Sequence, residues 1–156
     1  MSPLKQRILA ASLAGATGMA GVLVSHFEGR NLVAYLDPVG IPTICEGVTR
    51  GVSLGQTKTP EQCDALLQAE LAIAMAGVDR NVKKPQPETR RAALASFVYN
   101  VGEPQFKAST LLLKLNAGDV RGACAELSRW VNANGKKLQG LVNRRAAERE
   151  LCEVGL

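Results

Sequence analysis

Glu28-Gly-Arg-Asn-Leu-Val-Ala-Tyr-Leu-Asp37-Pro-Val-Gly-Ile-Pro-Thr43-Ile-Cys-Glu-Gly47 is the stretch that decides how the chain is read. From Asn31 to Ser53 the sequence is rich in Gly, Pro, Val, Ile and Thr, and Asp37-Pro38-Val39-Gly40 is a turn signal between short apolar runs. A small β-hairpin or three-stranded sheet is expected there. The same stretch holds an acid, a second carboxylate and a hydroxyl: Glu28, Asp37 and Thr43.

Downstream the punctuation becomes helical. Thr59 as N-cap, Pro60 at the first helical position and Gln62 completing a capping box predict a helix over residues 60–79, with Ala65, Leu66, Ala69 and Ile73 as its apolar positions. Pro87 opens a second helix through Ala93, Leu94, Phe97 and Val98 that stops at Gly102. Ser109 caps a short one ending at Asn116-Ala117-Gly118. Asp119 caps the next, expected to carry Cys124, Leu127 and Trp130 as far as Gly135. Residues 141–154 form the last helix, and its Arg144, Arg145 and Arg149 are expected to keep part of it wet. The fold class is therefore α+β, a small N-terminal sheet followed by a mainly helical lobe. Roughly 130 residues after the leader suffice for one core.

Upstream, Lys5 and Arg7 precede Ile8–Ser25, which is uncharged and as a helix would extend about 27 Å, just enough to span a bilayer. The positive flank would stay in the cytoplasm and the rest of the chain face outward. Ala, Gly, Ser and Thr dominate the segment, and Gly15, Gly18 and Gly21 give it one nearly bare face. Three readings compete: a signal peptide cleaved near Ala14-Gly15-Ala16, a stable anchor, or an anchor that later leaves the membrane.

The net charge of +5 predicts attraction to an anionic partner. The basic residues are scattered and aromatics make up only 4% of the chain, which argues against nucleic acid. Cys45, Cys63, Cys124 and Cys152 lack the close spacing of zinc ligands, so no metal is expected. They allow three disulfide pairings, or four buried thiols if the chain stays in the cytoplasm.

Cleaving a glycosidic bond takes a proton donor at the leaving oxygen and a negative group that activates water or stabilises the oxocarbenium ion. Glu28, following an apolar helical run, would be partly desolvated, a setting that favours the protonated acid. Asp37 sits in a polar turn and stays ionised; the Thr43 hydroxyl can both donate to and accept from a water. Each also has an ordinary structural reading, Asp37 as a turn residue before Pro38 and Thr43 as a strand residue.

The motif Glu28-Gly29, Tyr35, Asp37, Gly40, Thr43-Ile44, Gly47 resembles the signature of T-even-type phage lysozymes, glycoside hydrolase family 24. Phe97-Val-Tyr-Asn100-Val-Gly102, Phe106, Ser109-Thr110, Leu115-Asn116, Gly122, Arg129-Trp130 and Asn143-Arg144-Arg145 with Glu148-Arg149 are similar to that family's later helices. With the Ala/Gly-rich leader and Cys45, the pattern is most similar to the signal-anchor-release endolysins of lambdoid phages. Many relatives carry a histidine shortly after the threonine, where this chain has Val48; its only histidine is His26.

The resemblance implies hydrolysis, with inversion, of the β-1,4 bond between N-acetylmuramic acid and N-acetylglucosamine in peptidoglycan, without cofactor or metal, by a monomer. Glu28 would be the general acid, Asp37 would activate the attacking water, Thr43 would orient it, and Tyr35, Asn100 and Gly102 would line the sugar site. It further implies a signal-anchor segment over residues 1–27 and a catalytic domain over 28–156. The protein would be held in the host inner membrane, N-terminus cytoplasmic and catalytic domain periplasmic, and then freed into the periplasm. Two structural bridges, Cys45–Cys63 and Cys124–Cys152, are the preferred pairing; the alternative is a disulfide switch, since Cys45 lies two residues after Thr43. Rival functions are a lytic transglycosylase, which would not need Asp37 and Thr43, and a non-catalytic wall-binding membrane protein, which would not need Glu28.

Overall fold

The computed structural model describes residues 2–156. Eight α-helices and two small antiparallel hairpins run in the order α1 Pro3–Ala11, α2 Gly15–Glu28, β1 Asn31–Leu36, β2 Pro42–Cys45, α3 Pro60–Asn81, α4 Glu88–Val101, α5 Glu103–Lys107, α6 Thr110–Asn116, α7 Val120–Glu126, β3 Asn132–Ala133, β4 Lys136–Lys137 and α8 Gln139–Cys152. Short 3-10 turns lie at Ser12–Ala14 and Leu127–Arg129. This is the α+β arrangement expected from the sequence.

The core is organised around α4, whose residues Ala92 to Val98 are all buried. A helix apolar on every side must be surrounded, and α2, α3 and α8 pack around it. α2 turns Ala16, Met19, Ala20, Leu23 and Val24 inward at the i, i+3, i+4, i+7 spacing of one helical face, and the last three have no solvent exposure. The leader thus contributes to the hydrophobic centre. α3 spans the two parts of the molecule: Cys63 at its N-terminal end packs with Ala34, Ile44 and Val48 of the hairpin region, while Leu71, Met75 and Val78 join the main core.

The helix-start signals hold. Thr59 and Gln62 form the capping box, with bonds of 3.2 and 2.9 Å, and the side chains of Ser109 and Asp119 cap α6 and α7. In the first hairpin, Tyr35 pairs with Thr43 and Leu36 with Pro42, and the register shifts between Asn31 and Tyr35. A single bridge from Val33 to Thr57 is all that the alternative third strand amounts to.

Three expectations fail. Of the apolar positions expected for α3, Ala65, Ala69 and Ile73 are exposed and Leu66 is only half-buried; the inward face is Cys63, Leu67, Leu71, Ala74, Met75 and Val78, one position further along. The helix capped by Asp119 ends at Glu126, well short of Gly135, and a tight hairpin follows. Asn134 and Gly135 both have positive φ, 51° and 73°, the geometry an Asn-Gly hairpin turn favours over a helix. The basic stripe of α8 is not wet either: Arg144 and Arg145 are buried, and only Arg149 reaches toward solvent. Their charges are met by Glu28 and Glu148.

Candidate active site

Glu28 is the last residue of α2, which Gly29 terminates with φ +70°. A carboxylate at a helix C-terminus faces the negative end of the helix dipole, so it calls for a cation. Arg144 of α8 supplies one, its Nη1 donating to Glu28 Oε1 at 2.7 Å. The carboxyl is partly buried, as its place after an apolar run leads one to expect, and it is also ion-paired, which was not expected. Its other oxygen lies against Gly47, where a Cβ would come within 2.9 Å of Glu28 Oε2. Gly47 also has φ +72°, so backbone conformation and the close approach both demand glycine.

Asp37 begins the hairpin turn. Its Oδ1 accepts from the N–H of Val39 at 2.9 Å and of Ile41 at 2.8 Å, and its carbonyl takes the Gly40 N–H. The structural role read for Asp37 is therefore real, and it occupies one carboxylate oxygen only. Thr43 is buried opposite Tyr35 in the ladder, and its hydroxyl donates to the Ile41 carbonyl at 2.9 Å. With the proton committed there, the hydroxyl faces other groups as an acceptor. Tyr35 is partly exposed on the same face of the hairpin.

A cleft of about 300 Å³ opens between the segment Gly47–Arg50 and helices α3 and α4, lined further by Glu70, Ile73, Ala74, Val98, Tyr99, Gly102 and Glu103. Gly102 lines it, as expected. Glu28, Asp37 and Thr43 do not, but Gly47, at the cleft's edge, touches Glu28. Asn100, though exposed, engages Arg145 through its Oδ1. The Tyr99 hydroxyl donates to the Glu46 carbonyl at 2.6 Å and so ties α4 to the hairpin. Burial, reinforced by the negative charges of Glu28, Glu70 and Glu46, pushes this phenol well above its ordinary range.

Sequence reasoning missed Arg144, Glu148 and the contact of Gly47 with Glu28. The spacing of Arg144 and Arg145 four and three residues before Glu148 was a visible sign of ion pairing along one helix face. Cys45 is joined to Cys63, and Cys124 to Cys152. Among the described residues, the grouping of metal-type donors at Cys45, Glu46 and Cys63 has both sulfurs consumed by the bridge, which leaves one carboxylate and no basis for a metal site.

Residues 25–148, which include Glu28, Asp37, Thr43, Gly47, Arg144 and Glu148, match the family model described as phage lysozyme. The chain belongs to the phage lysozyme family. This lysozyme is 43% identical to the SAR-endolysin of Enterobacteria phage PA-2 over 97% of its own length and 96% of the relative's. The active form of the P1 phage endolysin Lyz superposes with a TM-score of 0.79 at 26% identity, covering 97% of this chain and 94% of that one. The secreted inactive form of the same endolysin gives 0.52 at 27% identity, over 66% and 74%.

Proposed function

We propose that this phage lysozyme is a peptidoglycan-hydrolysing endolysin, an inverting muramidase of the T-even type, and that its leader is a signal anchor whose release forms the site. The observation that carries the reading is the placement of Glu28. It ends α2, is gripped by Arg144, and faces Gly47 on the segment that continues from the hairpin bearing Asp37 and Thr43.

Glu28 gives its proton to the glycosidic oxygen, so the leaving sugar departs as an alcohol. Asp37, with Oδ2 not engaged in the turn, draws a proton from a water that attacks the anomeric carbon from the opposite face. Thr43 accepts from that water and orients it, since its own proton is held by Ile41. Tyr35 and Gly102 lie along the path of the sugar chain, and Asn100 acts at the edge of the cleft through its bond to Arg145. The net positive charge draws the enzyme to an anionic wall.

Residues Pro3–Glu28 form a helical stretch of 26 residues that is long and apolar enough to cross a membrane. Its second half is α2, whose Ala20, Leu23 and Val24 are fully buried in the lobe. One set of side chains cannot face lipid and core together, so the tethered chain has no α2 in the lobe and Glu28 is out of place. Release from the membrane, residues 1–27 intact, lets the segment pack and completes the site in the periplasm. The closer likeness to the active than to the secreted inactive P1 endolysin supports reading the present arrangement as the working one.

Mass spectrometry of digested peptidoglycan, with wild type and Glu28→Gln, tests the reaction. Reducing-end muramic acid formed by wild type alone is expected. Anhydro ends would make it a transglycosylase, and an unchanged wall a binding protein. Proton NMR of fresh product reports inversion through the anomer formed first.

A further inference from the structure

Glu148 has no part in the mechanism above, yet it is among the most enclosed charges in the molecule. Its carboxylate has no solvent exposure. Oε1 accepts from the Ser96 hydroxyl at 2.7 Å and from Arg144 Nε at 3.1 Å, while Oε2 accepts from Arg145 Nη1 at 2.5 Å. Arg144 in turn places Nη2 on the Ser96 carbonyl at 3.1 Å and Nη1 on Glu28 Oε1 at 2.7 Å. A guanidinium is planar with its N–H bonds in a rigid fork, so two anchors fix where the third edge points. Stability alone is a poor reason for such a cluster, because apolar residues of similar volume often replace internal ion pairs without loss.

We infer that Glu148 is a positioning residue for hydrolysis, aiming Arg144 at Glu28 and balancing its charge. This rests on the reading of Glu28 as the general acid. When Glu28 is ionised, it and Glu148 bring two negative charges to the two positive ones of Arg144 and Arg145. Without the charge of Glu148, Arg144 answers to Glu28 alone and favours its carboxylate over the protonated form that an acid catalyst needs. The other charged or titratable groups that interact with Glu28 are Arg145 from α8 and Tyr99 from α4, and Tyr99 is in turn influenced by Glu70 from α3 and Glu46 just after β2; substitution of Glu148 leaves them all in place. Arg145, which donates to Glu148, the Trp130 carbonyl at 2.9 Å and Asn100, keeps Glu148 from collapsing wholly onto Arg144.

The full chain is compared as wild type, Glu148→Gln and Glu148→Asp, with kcat and KM on peptidoglycan across pH and a thermal melt of each. In Glu148→Gln, kcat at neutral pH is expected to fall about tenfold with KM within about twofold, and the alkaline limb of activity to move down by about one pH unit. Glu148→Asp, which keeps the charge, is expected to restore the limb. A folded Glu148→Gln with the wild-type limb overturns the inference, as does a limb equally displaced in Glu148→Asp. Glu28→Gln separates the two readings: if it stays active, the acid assignment falls, whereas an inactive Glu28→Gln beside an unmoved limb in Glu148→Gln removes only the role of Glu148.

Discussion

The backbone N–H of Ala16, in the first turn of α2, donates to Oε2 of Glu88 at 2.9 Å, across 72 residues of chain. In one uninterrupted helix through residues 3–28 that N–H would bond to the carbonyl of Ser12, four residues earlier. The break at Gly15 removes this partner, and Ala14, which precedes α2, has no side chain that can cap it. Glu88, at the start of α4, supplies the missing acceptor, and Arg91 Nη1 holds its other oxygen at 2.7 Å. A carboxylate at the start of α4 thus completes the free N-terminal end of α2.

The bond from Ala16, followed by the one from Arg91, holds the Glu88 carboxyl below the ordinary carboxylate range. A depressed folded-state pKa contributes stability that is complete above the unfolded value of about 4.3 and is lost as pH falls through the folded value. Glu88→Gln should therefore destabilise the protein by about 1 kcal/mol at pH 7, a modest figure because the side chain is half exposed. Urea unfolding at neutral and at strongly acidic pH checks this. The gap between wild type and variant should close in acid, and a gap that persists unchanged there would rule the carboxylate out as its source.

Gly47→Ala should be far more damaging to activity than to folding. The added Cβ meets Glu28 Oε2 at 2.9 Å and sits on a backbone with φ +72°, so Glu28 or the segment after β2 must shift. A left-handed alanine costs about 1–2 kcal/mol. A displaced acid loses on the order of a hundredfold in rate. Thermal melting beside a peptidoglycan turbidity assay separates the two effects. Wild-type turnover in the variant would mean that Gly47 is there for its backbone alone.

Most of the fold was legible because the local signals are strong and agree with one another. The capping box at Thr59 and Gln62, the Ser109 and Asp119 caps and the Asp37-Pro38-Val39-Gly40 turn each satisfy their own backbone groups within a few residues. What could not be read is what distant segments do to charge. Arg144 looked like a solvated residue because its partner Glu28 lies 116 positions away, and the contact of Gly47 with Glu28 exists only once α2 packs. The helix expected to reach Gly135 failed for a local reason, the Asn134-Gly135 turn, which competes with helix extension and wins.

The two disulfides should contribute to stability and to site geometry in different proportions. Cys45–Cys63 closes a separation of 18 residues and fastens β2 to α3, whereas Cys124–Cys152 closes 28 and fastens the end of α8 beside α7. Chain-entropy arguments give about 3 kcal/mol for each, slightly more for the longer loop. Ser replacements at Cys45 and Cys63 are expected to reduce turnover beyond what the stability loss explains, since Thr43 lies two residues before Cys45. Replacements at Cys124 and Cys152 should mainly lower the unfolding midpoint. Denaturant unfolding paired with turnover well below the transition distinguishes them, and equal turnover losses in the two pairs would deny the hairpin bridge any special part.

The glycines of the leader allow the release model to be separated into its components. Gly15 has φ +68°, and a Cβ at Gly18 would lie 2.5 Å from the Cβ of Ala14 and 2.9 Å from the Ala11 carbonyl oxygen, so the bend between α1 and α2 depends on both. Gly21 is different: a Cβ there would meet only Leu71 Cδ1, at 3.4 Å. Leucine at any of the three adds apolarity worth about 0.5 kcal/mol of membrane retention, but at 15 or 18 it also opposes the bend. Gly18→Leu is therefore expected to remain in the membrane fraction longer than Gly21→Leu, and the triple Leu variant to stay there without lysing cells. Fractionation and lysis curves from one culture read both quantities. A triple variant retained in membranes that still digests walls at the wild-type rate would show that Glu28 works while tethered, and the exclusive choice between span and core helix would be wrong.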